Sequence, residues 1–191
     1  MTALQQATTD FLDGRRIAIV GVSRNPQEAA NAIYRKFRDA GYEVYAVNPK
    51  ADTVEGDPCY PDLGAVPDQL DGVVAVTPPE ATEGVARACV DLGIPRLWMH
   101  RGMGAGSVSE DAAEVCRAHG IAVIPGACPM MYLEPVDFAH RCFRGLSRLT
   151  GRLPVASSAR RGAPAAKESY LRRGPCSVVA ASWRGGGEGR S

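Results

Sequence analysis

The ten residues Ile17-Ala-Ile-Val-Gly-Val-Ser-Arg-Asn-Pro26 decide the fold that the sequence predicts. Four apolar residues end at Gly21, and polar residues, Pro26 and a stretch with helical spacing follow. A short apolar run bounded by turn residues indicates a strand that is buried on both faces of a parallel sheet. The following segment is then a tight strand-to-helix turn. Backbone N–H groups at a helix start favour anions, so this turn could be a phosphate site. The alternative is an ordinary strand-to-helix connection without a ligand.

The same alternation of short apolar runs and helical segments recurs along the chain, with Gly or Pro between them. Strands are predicted at residues 16–21, 43–47, 72–77, 96–99 and 121–124, with a very short one near 58–60. Helices are predicted at residues 3–13, 28–40, 80–92, 107–119 and 135–149. Ser107 and Glu110 predict a capping box at the start of the fourth helix. This pattern predicts an α/β fold, in which βαβ units build one open parallel sheet with helices on both faces.

Length and composition fit one folded domain with a charged tail. The chain has 191 residues, of which 45% are hydrophobic and 23% are charged, as in soluble globular proteins. We expect a single domain over residues 1–150 and a basic, Gly-, Ala- and Arg-rich disordered tail over residues 151–191. After Gly151 the tail holds eight basic and two acidic residues, so the domain itself is acidic. This argues against non-specific nucleic-acid binding by the domain.

The cellular setting follows from what the sequence lacks. No apolar run approaches the roughly 18 residues of a membrane span, and the N-terminus has no secretion-signal pattern. The six cysteines are scattered without a Cys-x-x-Cys pair. This pattern favours reduced thiols and a cytoplasmic location over disulfides or a zinc site. We therefore expect neither membrane contact nor a bound metal.

Ligands of open parallel sheets bind beyond the carboxyl ends of the strands, so the residues that follow each predicted strand form the candidate site. These residues are Gly21, Val22, Ser23, Arg24, Asn25 and Pro26, then Asn48, Pro49 and Lys50, then Thr77, Pro78 and Pro79, then His100, and finally Cys128. Small turns, hydroxyls and the cations among them suit a long ligand with several phosphates and an apolar arm.

The dinucleotide fingerprint Gly-x-Gly-x-x-Gly is incomplete in this chain. Ser23 and Pro26 stand where its second and third glycines belong. After the second strand, Lys50 lies near the position where NAD-binding domains place an acidic residue for the ribose. A lysine favours a phosphate on or near the ribose. Coenzyme A, with its 3′-phosphate, and NADP are therefore both candidate ligands.

Several ordered segments resemble the CoA-binding domain family. They are residues 21–26, 47–52, 59–63, 76–79, 97–99 and 126–129. This Rossmann-like domain also occurs in the alpha subunit of succinyl-CoA synthetase and in ADP-forming acyl-CoA synthetases. The resemblance covers roughly residues 10–145 and is greatest to the small stand-alone members. It implies a Rossmann-like fold and binding of coenzyme A, free or acylated.

The resemblance also implies a role for each turn. It assigns the pyrophosphate to Gly21, Ser23 and Arg24, with Asn25 and Pro26 opening the helix. The adenosine and its 3′-phosphate fall to Asn48, Pro49 and Lys50, and the nucleotide or the start of the pantetheine arm to Thr77, Pro78 and Pro79. His100 stands where many relatives carry Gln, and Met130-Met131-Tyr132 stands where they often carry Lys-Ile-Glu. What those two segments contact stays open.

The sequence favours binding over catalysis. No motif pairs His100 with a carboxylate or a serine, so a structural or ligand-contacting role is favoured over acid–base chemistry. Cys128 is at the ligand edge, where a mixed disulfide with the thiol of coenzyme A is a hypothesis. We expect a non-catalytic module that acts as a carrier, sensor or regulator, alone, as a homodimer or with a partner subunit. The alternatives are an NADP-dependent oxidoreductase and the CoA-binding subunit of an acyl-CoA ligase with a separate ATP-grasp partner.

Overall fold

The computed structural model describes residues 2–102 and 106–136 and the single positions 138, 142 and 145. The helices of this part are α1 Ala3–Leu12, α2 Ala29–Asp39, α3 Pro79–Leu92 and α4 Glu110–Ala118. The strands are β1 Arg16–Val20, β2 Glu43–Val47, β3 Thr53–Val54, β4 Asp57–Tyr60, β5 Gly72–Ala75, β6 Arg96–Met99 and β7 Ala122–Pro125. None of these described helices has the length and apolar character that crossing a membrane requires. The helix expected at residues 135–149 lies outside the described residues, except for residues 135 and 136 and the three single positions. The tail also lies outside them.

The strands form one sheet in the order β3-β4-β2-β1-β5-β6-β7. Only the short β3 runs antiparallel to its neighbour, and every other pair is parallel. In the centre, Ile19 of β1 lies opposite Ala46 of β2 on one side and Val74 of β5 on the other. From β1 the chain builds outward through β2 and then returns to the other side of β1. The strand order therefore reverses between β1 and β5, as in Rossmann-like folds, which confirms the predicted fold class.

Helices cover both faces of the sheet because the central strands are apolar on both. Ile17 and Ile19 belong to the core beneath α1 and α2, while Ala18 and Val20 belong to the core beneath α3 and α4. On the first face Phe11 of α1 meets the ring of Trp98 edge-on, with 5.3 Å between the ring centroids. Burial of each such large apolar side chain contributes about 1.5–3 kcal/mol. The prediction that β1 is buried on both faces is confirmed.

The predicted capping box at Ser107 is wrong. The helix begins at Glu110, and its N-cap is Ser109, whose side chain accepts a hydrogen bond from the amide of Ala112. Ser107 is 2% exposed, and its Oγ accepts from the backbone N–H of Thr77 at 2.9 Å. A buried amide without an acceptor is costly, so satisfying Thr77 takes precedence over capping the helix.

The stretch between β2 and β5 holds a hairpin of which the sequence predicted only one strand. β3 and β4 are joined by Glu55 and Gly56, whose φ angles of 55° and 84° are those of a type I′ turn. Glutamate is not a typical residue for this turn, which is why the pattern gave no signal. The hairpin is attached to α2 through Asp57, which accepts from Arg38 at 2.7 Å and from the Tyr34 hydroxyl at 2.9 Å. The hydrogen bond from Arg38 is the main cause that lowers the pKa of Asp57.

Candidate functional site

The turns that follow β1 and β5 touch at the point where the strand order reverses. Gly21 has a φ of 104°, and a Cβ added to it would lie 2.1 Å from the carbonyl oxygen of Val76. Beside it, the N–H of Val76 donates to the carbonyl of Val20 at 2.8 Å. Only a residue without a side chain fits between these two backbones. The contact lies at the position where open parallel sheets bind their ligands.

Most N–H groups of the turn after β1 are already used within the protein. Five of them donate over 2.9–3.2 Å to protein acceptors, namely those of Gly21, Ser23, Asn25, Gln27 and Glu28. Val22 is fully buried, and Pro26 has no N–H. Arg24 is exposed, and its amide makes no hydrogen bond to any described residue. The turn therefore offers an anion the Arg24 amide and guanidinium, a narrower set of donors than a row of free N–H groups.

Two buried asparagines fix the backbone of this turn. Asn31, on α2, accepts from the N–H of Ser23 at 2.9 Å and donates to the carbonyl of Ser23 at 2.8 Å. Asn48, directly after β2, donates through Nδ2 to the carbonyl of Val22. The two side chains are 1% and 7% exposed. They hold the backbone at Ser23 before any ligand arrives.

Asn31 is itself held by the β3–β4 hairpin. Its Nδ2 donates a second hydrogen bond to Oε1 of Glu55 at 2.8 Å. The same carboxylate oxygen accepts from Nη1 of Arg35 at 2.6 Å, and Nη1 also donates to the carbonyl of Pro26 at 3.1 Å. The Glu55 side chain is 12% exposed, so this ion pair is shielded from water on the carboxylate side. The hairpin thus supports both ends of the turn.

The turn after β2 separates a buried residue from two exposed ones. Asn48 accepts from the N–H of Lys50 through Oδ1 at 2.8 Å, which folds the chain back on itself. Pro49 and Lys50 are exposed. Since the other end of the Asn48 side chain reaches Val22, the turns after β1 and β2 are directly joined. The arrangement is compatible with the adenosine and phosphate roles that the family resemblance implies for residues 48–50.

After β5, the Thr77 hydroxyl points into the protein. Its Oγ1 lies 3.0 Å from Oγ1 of Thr82, which in turn donates to the carbonyl of Ser107 at 2.9 Å. All three residues are at most 4% exposed. The next two residues take structural positions, Pro78 as the exposed N-cap of α3 and Pro79 as its first residue. Of the three predicted residues, Thr77 shapes the turn, and Pro78 presents an apolar surface at the edge.

His100 closes the site on the β6 side as a neutral group. It is 9% exposed, and burial lowers its pKa from the usual value to about 4. No hydrogen bond to its ring is found among the described residues. Its backbone carbonyl accepts from the N–H of Ser107 at 2.8 Å, and its N–H donates to Ala75 at 2.9 Å. An unpaired neutral imidazole of this kind is a poor acid–base group near pH 7.

The turn after β7 is held by Trp98 and by the turn after β6. The indole N–H of Trp98 donates to the carbonyls of Gly126 and Ala127 at 3.0 and 3.2 Å, and the N–H of Arg101 donates to Ala127 at 3.1 Å. Ala127 has a φ of 65°, which is uncommon for a residue with a side chain. Cys128 follows it and is buried at 6% exposure, while Arg101 is exposed.

Hydrogen bonds connect all five turns along the carboxyl edge of the sheet. Asn48 joins the second turn to the first, and Val76 joins the third to the first. Ser107 links Thr77 to His100, and the Arg101–Ala127 bond adds the last turn. The predicted residues therefore lie along one edge. The exposed cations of this edge are Arg24, Lys50 and Arg101.

Sequence reasoning did not identify four residues that support the site. They are Asn31, Glu55, Arg35 and Ser107. Asn31 is a polar residue inside the apolar stripe of α2, between Ala30 and Ile33, and this misfit was the available signal. A buried polar side chain needs hydrogen-bond partners, and its partners belong to the turn. The pairing of Glu55 with Arg35 spans 20 residues and has no pattern in the sequence.

Residues 15–134 match the model of the family described as "CoA binding domain". Among curated proteins, the uncharacterized protein YneT of Bacillus subtilis strain 168 is 30% identical over 114 residues, which are 60% of this chain and 82% of that protein. The ADP-forming acetate–CoA ligase I of Archaeoglobus fulgidus is 28% identical over 118 residues. That match covers 59% of this chain and only 17% of the ligase.

A solved structure supports the fold at similar length. A hypothetical protein from Pyrococcus horikoshii OT3 superimposes with a TM-score of 0.64 and 25% sequence identity. The match covers 70% of this chain and 91% of that protein. The chain thus resembles small proteins over most of their length, and the ligase over a small part of its own.

Proposed function

The chain belongs to the CoA-binding domain family, and we propose that it binds coenzyme A or an acyl-CoA along the carboxyl edge of its sheet. In this proposal the pyrophosphate lies at the turn after β1, against the amide and guanidinium of Arg24. Lys50 pairs with the 3′-phosphate, and the pantetheine arm runs over Pro78 toward His100 and Cys128. The observation that carries the proposal is the family match over residues 15–134, which includes all five turns of the edge.

Charge and burial along the edge support this order of contacts. Arg24 and Lys50 are exposed cations on neighbouring turns, as a ligand with separate phosphate groups requires. Toward β6 and β7 the edge holds the exposed Pro78, the neutral and buried His100 and the buried Cys128, with Arg101 as its exposed cation. In this proposal the uncharged arm lies against Pro78, His100 and Cys128.

We propose a non-catalytic role for the module, as a carrier, sensor or regulator in acyl-CoA metabolism. The His100 imidazole has no hydrogen-bonded partner among the described residues that would activate it. The Thr77 and Ser107 hydroxyls are used inside a buried network. Neither feature resembles a nucleophile with an adjacent base.

A ligand panel tests the proposal. Coenzyme A, acetyl-CoA, NADH and NADPH are added at equal concentration, and the melting temperature is followed by differential scanning fluorimetry. A ligand that binds only the native state stabilises it by RT ln(1 + [L]/Kd). We expect stabilisation by coenzyme A and acetyl-CoA. Stabilisation by NADPH with none by coenzyme A would instead support an NADP-dependent oxidoreductase.

A second candidate function is the CoA-binding subunit of an acyl-CoA ligase. The similarity to the ADP-forming acetate–CoA ligase I supports it, although only 17% of that enzyme is matched. Such a subunit would act with a separate ATP-grasp partner. The test is affinity capture with the tagged chain, followed by an assay for thioester formation dependent on acetate, ATP and coenzyme A. Activity that appears only with a captured ATP-grasp protein would favour the ligase function over a stand-alone module.

A further inference from the structure

We propose that Asn31 is a positioning residue that aims the Arg24 amide at the ligand phosphate, and that Glu55 of the β3–β4 hairpin holds Asn31 in the orientation this requires. The inference rests on the proposed function and adds a device to it. Neither side chain is proposed to touch the ligand. Both act through the backbone of the turn after β1.

The first step is the way Asn31 brackets Ser23. Oδ1 accepts from the N–H of Ser23 at 2.9 Å, and Nδ2 donates to the carbonyl of Ser23 at 2.8 Å. One side chain therefore fixes both peptide groups that flank Ser23. At 1% exposure Asn31 is shielded from water, so these bonds do not compete with solvent.

The second step follows from peptide geometry. The carbonyl of Ser23 and the N–H of Arg24 belong to one peptide group, and in a trans peptide they point in opposite directions. Holding the carbonyl toward Asn31 directs the Arg24 N–H away from Asn31. That N–H makes no hydrogen bond to any described residue, and Arg24 is exposed. The donor is thus aimed before the ligand arrives, which lowers the ordering cost of binding.

The third step is the orientation of the Asn31 amide itself. Rotating the amide by half a turn would set its oxygen against the carbonyl of Ser23. Oε1 of Glu55 prevents this, because it accepts the second N–H of Nδ2 at 2.8 Å and repels an oxygen in that place. Arg35, 2.6 Å from the same carboxylate oxygen, fixes Glu55 in turn. Every donor and acceptor of the Asn31 side chain that faces the turn or the hairpin is therefore matched.

Paired variants separate positioning from stability. N31D keeps the acceptor for the Ser23 N–H, loses the donor to the Ser23 carbonyl, and sets a carboxylate against Glu55. In the double variant N31D/E55Q the amide introduced at position 55 donates to the carboxylate introduced at position 31, which removes the repulsion but still leaves the Ser23 carbonyl unheld. E55Q alone is the matched control, since its amide oxygen still accepts from Asn31. Coenzyme A affinity is measured by calorimetry and stability by urea unfolding for the wild type and all three variants.

We expect N31D to lose both stability and affinity, and N31D/E55Q to regain most of the stability while its affinity stays roughly tenfold below that of the wild type. E55Q should bind within a few-fold of the wild type. If N31D/E55Q binds coenzyme A within twofold of the wild type, the positioning role is rejected and Asn31 serves stability alone. If an aspartate variant is unfolded at the assay temperature, N31A, which also loses the donor, is judged by the same twofold criterion. A wild-type chain that binds no coenzyme A would reject the proposed function and this inference with it.

Discussion

Asn31 and Asn48 hold the same peptide group from opposite sides. The group joins Val22 to Ser23, and its carbonyl accepts from Asn48 while its N–H donates to Asn31. One asparagine comes from α2, and the other follows β2. Because both are buried, the conformation of the turn after β1 is set by the packing of two elements on either side of it. The packing of the core thus fixes the turn without any ligand.

This arrangement explains how the turn keeps its conformation without the glycines of a dinucleotide fingerprint. Where such a fingerprint has its second glycine, Ser23 has its N–H and carbonyl matched by Asn31. The Ser23 hydroxyl accepts from the amide of Asn25 at 3.0 Å, and Oδ1 of Asn25 accepts from the amide of Gln27 at 3.1 Å. Side chains thus stabilise a turn that would otherwise depend on glycine flexibility.

Substitution by alanine should destabilise the protein far more at Gly21 than at Gly41. Both have a positive φ, of 104° and 83°. A Cβ at Gly41 would meet nothing within 4 Å, whereas one at Gly21 would lie 2.1 Å from the Val76 carbonyl oxygen. We expect G41A to cost about 1 kcal/mol from backbone conformation alone. G21A should cost roughly 3 kcal/mol or more, because the contact between the β1 and β5 turns must open.

Urea unfolding followed by circular dichroism measures both glycine variants against the wild type. G21A should also lose ligand binding at temperatures where it remains folded. Equal unfolding free energies for the two variants would show that the turns separate without cost. The close approach of Gly21 to Val76 would then contribute nothing to the free energy of unfolding.

The order of strands and helices could be predicted from the sequence because local periodicity carries it. β1 has four apolar residues in a row, and helical spacing marks α2 up to Asp39. The strand β2 was predicted at its observed bounds, residues 43–47. The position of the candidate site was predicted from the rule that parallel sheets bind ligands at their carboxyl edge, and it stays a prediction.

The support of the site could not be predicted, because it depends on contacts between residues distant in the chain. The sequence predicted Ser107 as the helix cap, whereas Ser109 caps the helix and the Ser107 hydroxyl accepts from the buried N–H of Thr77. Glu55 is an unusual residue for a type I′ turn, and its side chain accepts a hydrogen bond from Asn31, 24 residues earlier in the chain. Such pairs leave no periodic trace in a single sequence.

Removal of the Thr82 hydroxyl should destabilise the protein more than removal of a surface threonine hydroxyl. Its hydroxyl is fully buried and bonds to Ser107 and Thr77, which belong to two different turns of the site. Valine has the same shape without the hydroxyl, so T82V removes the hydrogen bonds of Thr82 to the Thr77 hydroxyl and to the Ser107 carbonyl. We expect a loss of about 1–3 kcal/mol in the free energy of unfolding.

The matched control for T82V is T9V. Thr9 is exposed on α1, and its hydroxyl bonds only to the Gln5 carbonyl of its own helix. We expect T9V to change the free energy of unfolding by about 0.5 kcal/mol or less. Chemical denaturation of both variants makes the comparison. A T82V variant as stable as T9V would mean that the buried hydroxyl network contributes nothing net.

His100 predicts a loss of stability in mild acid. Its pKa is about 4 in the folded protein because of burial, against about 6.5 when unfolded. Between these values the unfolded chain binds a proton that the folded chain does not. The His100 contribution to stability is therefore complete above pH 6.5 and is lost as the pH falls from 6.5 toward 4.

The comparison with H100Q isolates this contribution, since both proteins share all other titrating groups. Between pH 7 and pH 4.5, the wild type should lose about 2 kcal/mol more unfolding free energy than H100Q does. Urea unfolding at a series of pH values gives both curves. Parallel curves would show that the His100 imidazole is accessible to protons in the folded state.

Lys50 predicts selectivity for the 3′-phosphate of coenzyme A. It is exposed directly beyond β2, on the turn that Asn48 ties to the β1 turn. If Lys50 pairs with the 3′-phosphate, K50A should weaken coenzyme A binding by roughly tenfold, as expected for loss of a charge-assisted contact. Dephospho-CoA lacks that phosphate, so K50A should weaken its binding only slightly.

R87A, which removes an exposed cation from the middle of α3, controls for general charge and should leave both affinities unchanged. Titration calorimetry of the wild type and the two variants with both ligands gives the comparison. Equal losses for coenzyme A and dephospho-CoA in K50A would place the 3′-phosphate elsewhere, and the exposed Arg24 and Arg101 would be the next cations to test.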